Sequence, residues 1–140
     1  MIIIEKASLY DAEAIATMNR IIEGETVDQD ELEHAITEEQ CYVAKTGEKP
    51  IGFALFHTSF FGFGYISKLA VDPAYRNRGA AKRLIETIKT ACLSDKLFAS
   101  TNQSNFQMQH LLESLRFQKS GCIANIYDEP EMIYCLFRKS

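Results

Sequence analysis

Nowhere in this chain do apolar residues run on for the roughly 20 positions that a membrane-spanning helix needs. The opening Met1-Ile2-Ile3-Ile4-Glu5-Lys6 lacks the basic start, long apolar stretch and small-residue cleavage site of a secretory leader. It is expected to be a strand, and a cytoplasmic protein with no membrane partner is the default expectation. Cysteine is sparse, with residues 41, 92, 122 and 135 in no CxxC or other ligand spacing. Reduced and mostly buried thiols follow. The three histidines, at 34, 57 and 110, form no cluster, so no metal is expected. Proline occurs only at 50, 73 and 130, each near an expected element boundary. No internal repeat, low-complexity tract or Pro/Gly/Ser-rich linker divides the chain.

What remains is the composition of an ordinary globular protein. The 140 residues are 46% hydrophobic and 24% charged, which fits one domain spanning residues 1–140. The net charge of −4 hides an asymmetry. Residues 21–44 carry eight acids and no Lys or Arg, whereas residues 68–119 carry nine bases and four acids. Solvated helix faces are the commoner reason for such runs. The functional reading is that the basic half meets an anion and the acidic half a cation.

Apolar spacing predicts a strand over residues 2–7, then a helix opened by Ser8-Leu9-Tyr10-Asp11 and closed by Gly24. A short acidic helix follows Asp28 and runs to about residue 37. Residues 41–45 and 50–57 read as a hairpin. Residues 59–64 read as an aromatic, Gly-rich connection, and residues 65–71 as a third strand. The stripe Ala81, Leu84, Ile85, Ile88, Ala91, Cys92 predicts a helix over 79–93. A strand over 96–101 precedes a helix opened by a second capping-box pattern, Ser104-Asn105-Phe106-Gln107. Strands over 117–123 and 132–138 close the chain. The order β-α-α-β-β-β-α-β-α-β-β implies an α/β (α+β) fold. Its mixed, mostly antiparallel sheet has a central parallel splayed strand pair and helices on both faces.

The most informative stretch is Tyr65-Ile66-Ser67-Lys68-Leu69-Ala70-Val71-Asp72-Pro73-Ala74-Tyr75-Arg76-Asn77-Arg78-Gly79-Ala80-Ala81. A strand exits at a proline, passes a basic turn and enters a helix at Gly-Ala-Ala. Helix N-termini carry N–H groups without intrahelical partners and the positive end of the helix dipole. Gly79 lets an anion come close to the backbone, Ala80 and Ala81 keep the approach open, and Arg76 and Arg78 add charge. A phosphate-bearing ligand fits this pattern. So does an ordinary strand-to-helix turn with solvated arginines. The nucleotide P-loop and dinucleotide glycine spacings are both absent.

Arg76-x-x-Gly79-x-Ala81 resembles the Arg/Gln-x-x-Gly-x-Gly/Ala signature of the GNAT superfamily of N-acetyltransferases. Residues 69–75 look like that family's strand and exit. Asn102-Gln103-Ser104-Asn105 and the later Leu112-Glu113-Ser114-Leu115-Arg116-Phe117 resemble its second conserved block. The element order agrees over essentially the whole chain. The resemblance implies acetyl-CoA as co-substrate, without a metal. Its diphosphate would lie on backbone N–H groups of Arg76, Asn77, Arg78, Gly79, Ala80 and Ala81. Its pantetheine arm would pair with main-chain groups of Leu69 and Val71. A backbone N–H near Leu69 or Ala70 would meet the thioester oxygen. Asn102 and Asn105 lie at the second block, where Asn105 would bond the arm, and Lys82 or Arg83 would meet the adenosine-side phosphate.

Three departures from the family pattern bear on the reaction. Leu112 stands where many members place a tyrosine acid, Tyr65 where some place a glutamate base, and Arg116 where Gly usually precedes Phe. The catalytic candidates are therefore Tyr65, Ser67 and Tyr127. Glu23 and Glu25, in the acidic stretch, are candidates for acceptor binding or for action through water. Each also reads as packing or surface. The implied activity is transfer of acetyl to a primary amine, on a small molecule or a peptide, cationic if the acidic stretch receives it. The alternative is a non-catalytic CoA-binding or sensing module of the same fold. A nucleic-acid partner is disfavoured by the acidic total. The closing strands offer a route to a homodimer, as in some relatives.

Overall fold

The computed structural model describes residues 1–24 and 28–138. Seven strands are present among them: β1 (Ile2–Lys6), β2 (Cys41–Thr46), β3 (Lys49–Phe60), β4 (Phe63–Val71), β5 (Lys96–Asn102), β6 (Gln118–Ile123) and β7 (Glu131–Phe137). The helices are α1 (Ala12–Glu23), α2 (Gln29–Thr37), α3 (Ala80–Ala91) and α4 (Phe106–Ser114). The strand order is β1-β2-β3-β4-β5-β7-β6, with β4/β5 parallel and the pairs β1/β2, β2/β3, β5/β7 and β6/β7 antiparallel. The mixed, mostly antiparallel sheet is as the sequence predicts. No helix among the described residues is long and apolar enough to cross a membrane.

The chain forms two compact units, Met1–Phe56 with Lys68–Ala91, and His57–Ser67 with Cys92–Ser140. In the first, strand alternation divides the side chains between two faces. Cys41 and Val43 of β2 and Phe53 and Leu55 of β3 join one apolar cluster with Ile15 and Met18 of α1 and Leu32 and Ile36 of α2. The intervening Tyr42 and Ala44 point the other way, and α3 packs against β1 and β2 there with Leu84, Ile85 and Ile88 buried. The two faces are thus covered by different helices.

Local chemistry sets the helix ends. Ser8 N–H donates to Asp11 Oδ2 at 2.8 Å, and Asp11 N–H returns a bond to the Ser8 carbonyl at 2.9 Å. This box opens a 3-10 turn, Leu9–Asp11, that runs into α1. Gly24, at φ 73, closes α1 in the left-handed conformation. Asp28 Oδ1 caps α2 by accepting from Asp30 and Glu31 N–H.

In the second unit one sequence expectation is corrected. The aromatic stretch 59–64 is not a loose connection. β3 runs through Phe60 and β4 starts at Phe63, leaving a two-residue turn with Phe61 at φ 53 and Gly62 at φ 83. Two positive φ values suit the right-handed twist of a tight hairpin. The aromatics themselves favour strand, stacking Phe60 on Tyr65 at 4.6 Å between ring centroids.

A second correction concerns α4. Its cap is Asn105, whose Oδ1 accepts from Met108 N–H at 3.1 Å, and not a Ser104–Gln107 box. Ser104 is engaged elsewhere, donating N–H and Oγ to the Glu129 carboxylate at 2.6 and 2.9 Å. Arg116 holds φ 74, the left-handed position just past α4 that glycine favours. Cys92 lies one residue beyond α3 and is buried, as are Cys41 and Cys135, while Cys122 is exposed.

Candidate functional site

The turn before α3 belongs to the first unit. Asp72 N–H donates to the Ile51 carbonyl, and Asp72 Oδ1 accepts from Ala74 N–H, so the chain leaves β4 through a 3-10 turn, Pro73–Tyr75. Arg76 is extended, and Asn77 (φ 64) and Gly79 (φ 84) are left-handed. Alternation of this kind folds backbone N–H groups toward a common concave side. Gly79 suits its position because its φ would strain a side chain.

The start of α3 is uncapped. Among the described residues no acceptor meets the N–H groups of Gly79, Ala80, Ala81 or Lys82, in contrast to the capped α2 and α4. Residues 76–79 are exposed. The guanidinium carbon of Arg78 lies 5.2 Å from the centre of the Tyr75 ring, and Lys49 Nζ lies 5.0 Å from it. Arg83, named with Lys82 as a phosphate contact, donates instead to the Ile2 carbonyl, and Lys82 stays exposed. The result is four adjacent backbone donors at the positive end of a helix dipole, with Arg76 and Arg78 in the same turn. An arrangement of this kind suits an anion.

Within β4, Ala70 is buried in the apolar cluster, so only its main chain is available for recognition. A Cβ on Gly52 of β3 would lie 3.0 Å from the Ala70 carbonyl oxygen and 3.2 Å from Val71 Cγ2. The close approach of β3 to Ala70 and Val71 therefore depends on Gly52. Leu69 and Val71 are partly exposed.

The second unit holds the remaining candidates. The parallel β4/β5 ladder consists of Gly64↔Leu97, Tyr65↔Phe98 and Ile66↔Ala99, and ends there. Residues 98, 100 and 102 of β5 share one face with Tyr65, and with Cys135, Ile133 and Glu131 opposite them on β7. The other face, with Thr101 and Tyr134, is the one α4 covers. Tyr134 OH donates to Glu113 Oε2 at 3.2 Å and lies 3.4 Å from Gln109 Oε1. On the first face Tyr65 OH lies 2.6 Å from Ser100 Oγ, with His57 edge-on to the Tyr65 ring at 5.4 Å. Burial, above all, pushes the Tyr65 hydroxyl up. The Ser100 bond opposes the rise, and the nearby Glu131 and Tyr127 add to it. Tyr65 is therefore a neutral hydroxyl at pH 7 and not a base.

The other predicted residues are dispersed. Ser67 is exposed on β4, and Tyr127 is 63% exposed between β6 and β7. Leu112 is buried in α4 and offers no donor. Asn102 is exposed, and its carbonyl accepts from Asn105 N–H and from Gln109 Nε2. Asn105 uses Oδ1 as the α4 cap, leaving its amide NH2 as the donor. Glu23 closes α1. Glu25 lies outside the described residues. Ser100, His57 and Glu131 escaped the sequence reading. An acid opening the otherwise apolar run Met132-Ile133-Tyr134-Cys135-Leu136-Phe137 was the available signal for the last.

The sequence profile of the acetyltransferase (GNAT) family matches residues 8–117. This chain belongs to that family. It is 29% identical over 94 residues to N-alpha-acetyltransferase 30 of Xenopus laevis, a match covering 62% of this chain and 34% of that protein. The chain spans between a quarter and about a third of the curated relatives it matches. A GNAT-family acetyltransferase structure from Bacillus cereus superposes with a TM-score of 0.92 at 29% identity, covering 100% of this chain and 99% of that one. The diaminobutyrate acetyltransferase of Paenibacillus lautus, solved with L-2,4-diaminobutyric acid and coenzyme A, has the same fold. Its TM-score is 0.80 at 14% identity, covering 99% and 95% of the two chains.

Proposed function

We propose that this chain transfers acetyl from acetyl-CoA to a primary amine by direct attack in a ternary complex. The uncapped start of α3 carries the reading: four adjacent N–H groups beside two arginines fit a diphosphate, and the chain belongs to an acetyltransferase family. Main-chain groups of Leu69 and Val71 take the pantetheine arm as an added strand. A backbone N–H near Leu69 or Ala70 donates to the thioester oxygen as negative charge grows there. The acceptor is a small-molecule or peptide amine: the Paenibacillus lautus enzyme is solved with L-2,4-diaminobutyric acid, and a related NatC complex with a Gag peptide. Alkyl ammonium groups titrate near 10, so a proton must leave before nitrogen attacks at pH 7.

A second reading, a CoA-binding module without turnover, is favoured by one observation: Leu112 is buried and cannot protonate a leaving thiolate. Thiol release from acetyl-CoA across a panel of amines separates the two. Release with at least one amine supports the enzyme. CoA binding without release from any amine supports the module.

A further inference from the structure

Glu131 opens β7 on the face that carries Tyr65 and Ser100. One of its carboxylate oxygens, Oε1, is enclosed yet meets no donor. Its side chain forms no salt bridge among the described residues. Enclosed polar atoms are normally satisfied, so an oxygen like this is poised for a donor from outside the chain. The backbone around it is held firmly. Glu131 sits opposite Asn102 in the ladder, Gln103 N–H donates to the Pro130 carbonyl at 3.0 Å, and Ser104 binds Glu129. A carboxylate placed this way loses little freedom when it binds. The same face carries the stacked rings of Phe60 and Tyr65, with Phe98 5.1 Å from Phe60. No helix of this unit covers it, because α4 lies on the Tyr134 face. An acid that shares a face with aromatic rings, close enough for its charge to act on Tyr65, offers the surroundings an ammonium group seeks.

We propose that Glu131 receives the acceptor's ammonium group and takes its first proton, an inference that rests on the acetyltransferase reading. One N–H proton passes to the Glu131 carboxylate, and the freed lone pair attacks the acetyl carbonyl carbon. The N–C bond forms, the C–S bond breaks, and the thiolate takes the second proton lost by nitrogen. Glu131 then releases its proton to solvent. Ammonium and thioester become amide, thiol and one proton. The other titratable groups on or beside this face are Tyr65, Cys135, Lys96, His57, Tyr127 and Glu129. Tyr65 stays neutral, and Glu129 is bound to Ser104.

The test uses the full chain with 1,4-diaminobutane and a tetrapeptide bearing a free α-amine. Calorimetry measures CoA binding and amine binding to the CoA-loaded protein, and thiol release measures turnover. Glu131→Gln should leave the CoA Kd within about twofold. It should weaken binding of the preferred amine about tenfold and lower kcat/KM by about 100-fold or more. Glu131→Asp, which keeps the charge, should recover part of both. Wild-type turnover that Glu131→Gln does not alter overturns this inference alone. So does loss of CoA affinity in step with amine affinity, which would make Glu131 structural. A wild-type protein that binds CoA but neither amine overturns it too. A wild-type protein that neither binds CoA nor releases thiol removes the acetyltransferase reading itself.

Discussion

Tyr65 and Ser100 join β4 to β5 through a 2.6 Å contact between their hydroxyl oxygens, two residues along β5 from the Tyr65↔Phe98 pair. Tyr65→Phe removes this link and keeps the ring stacked on Phe60. Stability should fall by about 1 kcal/mol, with CoA affinity unchanged. Because burial raises the Tyr65 pKa above 10, no limb of the pH–rate profile near neutrality should belong to it. A limb near pH 7 that vanishes in the Phe protein would contradict this.

Charge reversal at the α3 turn should act on the co-substrate alone. Arg78→Glu is expected to raise the CoA Kd about tenfold or more, the effect shrinking as salt rises. Adding Gly79→Asp should abolish binding, since a second carboxylate meets the diphosphate at a position whose φ is 84. Calorimetry at two ionic strengths checks both. Undiminished CoA binding in the double variant would sink the assignment of this turn.

Gly52→Ala pushes a methyl into the Ala70 carbonyl and Val71. Overpacking of this kind costs about 1–3 kcal/mol. The Leu69–Val71 main chain should shift with it, so KM for acetyl-CoA should rise alongside the loss in melting temperature. A protein that melts lower with an unchanged KM would confine the effect to the core.

Arg116→Gly should stabilise the chain. A side chain in the left-handed region costs about 1–2 kcal/mol that glycine avoids, set against the entropy glycine adds to the unfolded chain. A net gain of about 0.5–1 kcal/mol in urea unfolding is the expected outcome. A net loss would mean that contacts of the Arg116 side chain outweigh the backbone strain.

The thiols should separate cleanly by reactivity. Burial, with the charge of Asp11 adding to it, pushes the Cys41 thiol up to about 12. In the native protein at pH 8 a disulfide reagent should label Cys122 quickly and Cys41, Cys92 and Cys135 only after unfolding. The folded chain keeps the Cys41 proton where the unfolded chain loses it. Stability should therefore decline as pH rises from about 9 toward 12. Rapid labelling of more than one native thiol would contradict the burial pattern.

The order of strands and helices was legible in periodicity, because alternation and 3.6-residue spacing are local. So was the α3 turn, where glycine, alanine and arginine lie within six residues. The errors arose where distant partners decide. Ser104 and Asn105 are both good N-caps. Asn105 takes the role because Glu129, some 25 residues further on, has taken Ser104. The Gly-rich connection expected over residues 59–64 is strand to within two residues of the Phe61-Gly62 tip, because stacking across the hairpin holds the aromatics in strands. Ser100 and Glu131 acquire meaning only from the β4/β5 and β5/β7 registers, which no local window contains.

The four donors at the start of α3 belong to the main chain, and no substitution short of proline deletes one. What heredity must preserve there is a path through space, two left-handed residues and a helix that begins on time. Homologues could therefore drift far in composition while keeping the same set of donors. Replacing single peptide links of Gly79, Ala80 or Ala81 by esters would remove donors one at a time without the ring that proline imposes.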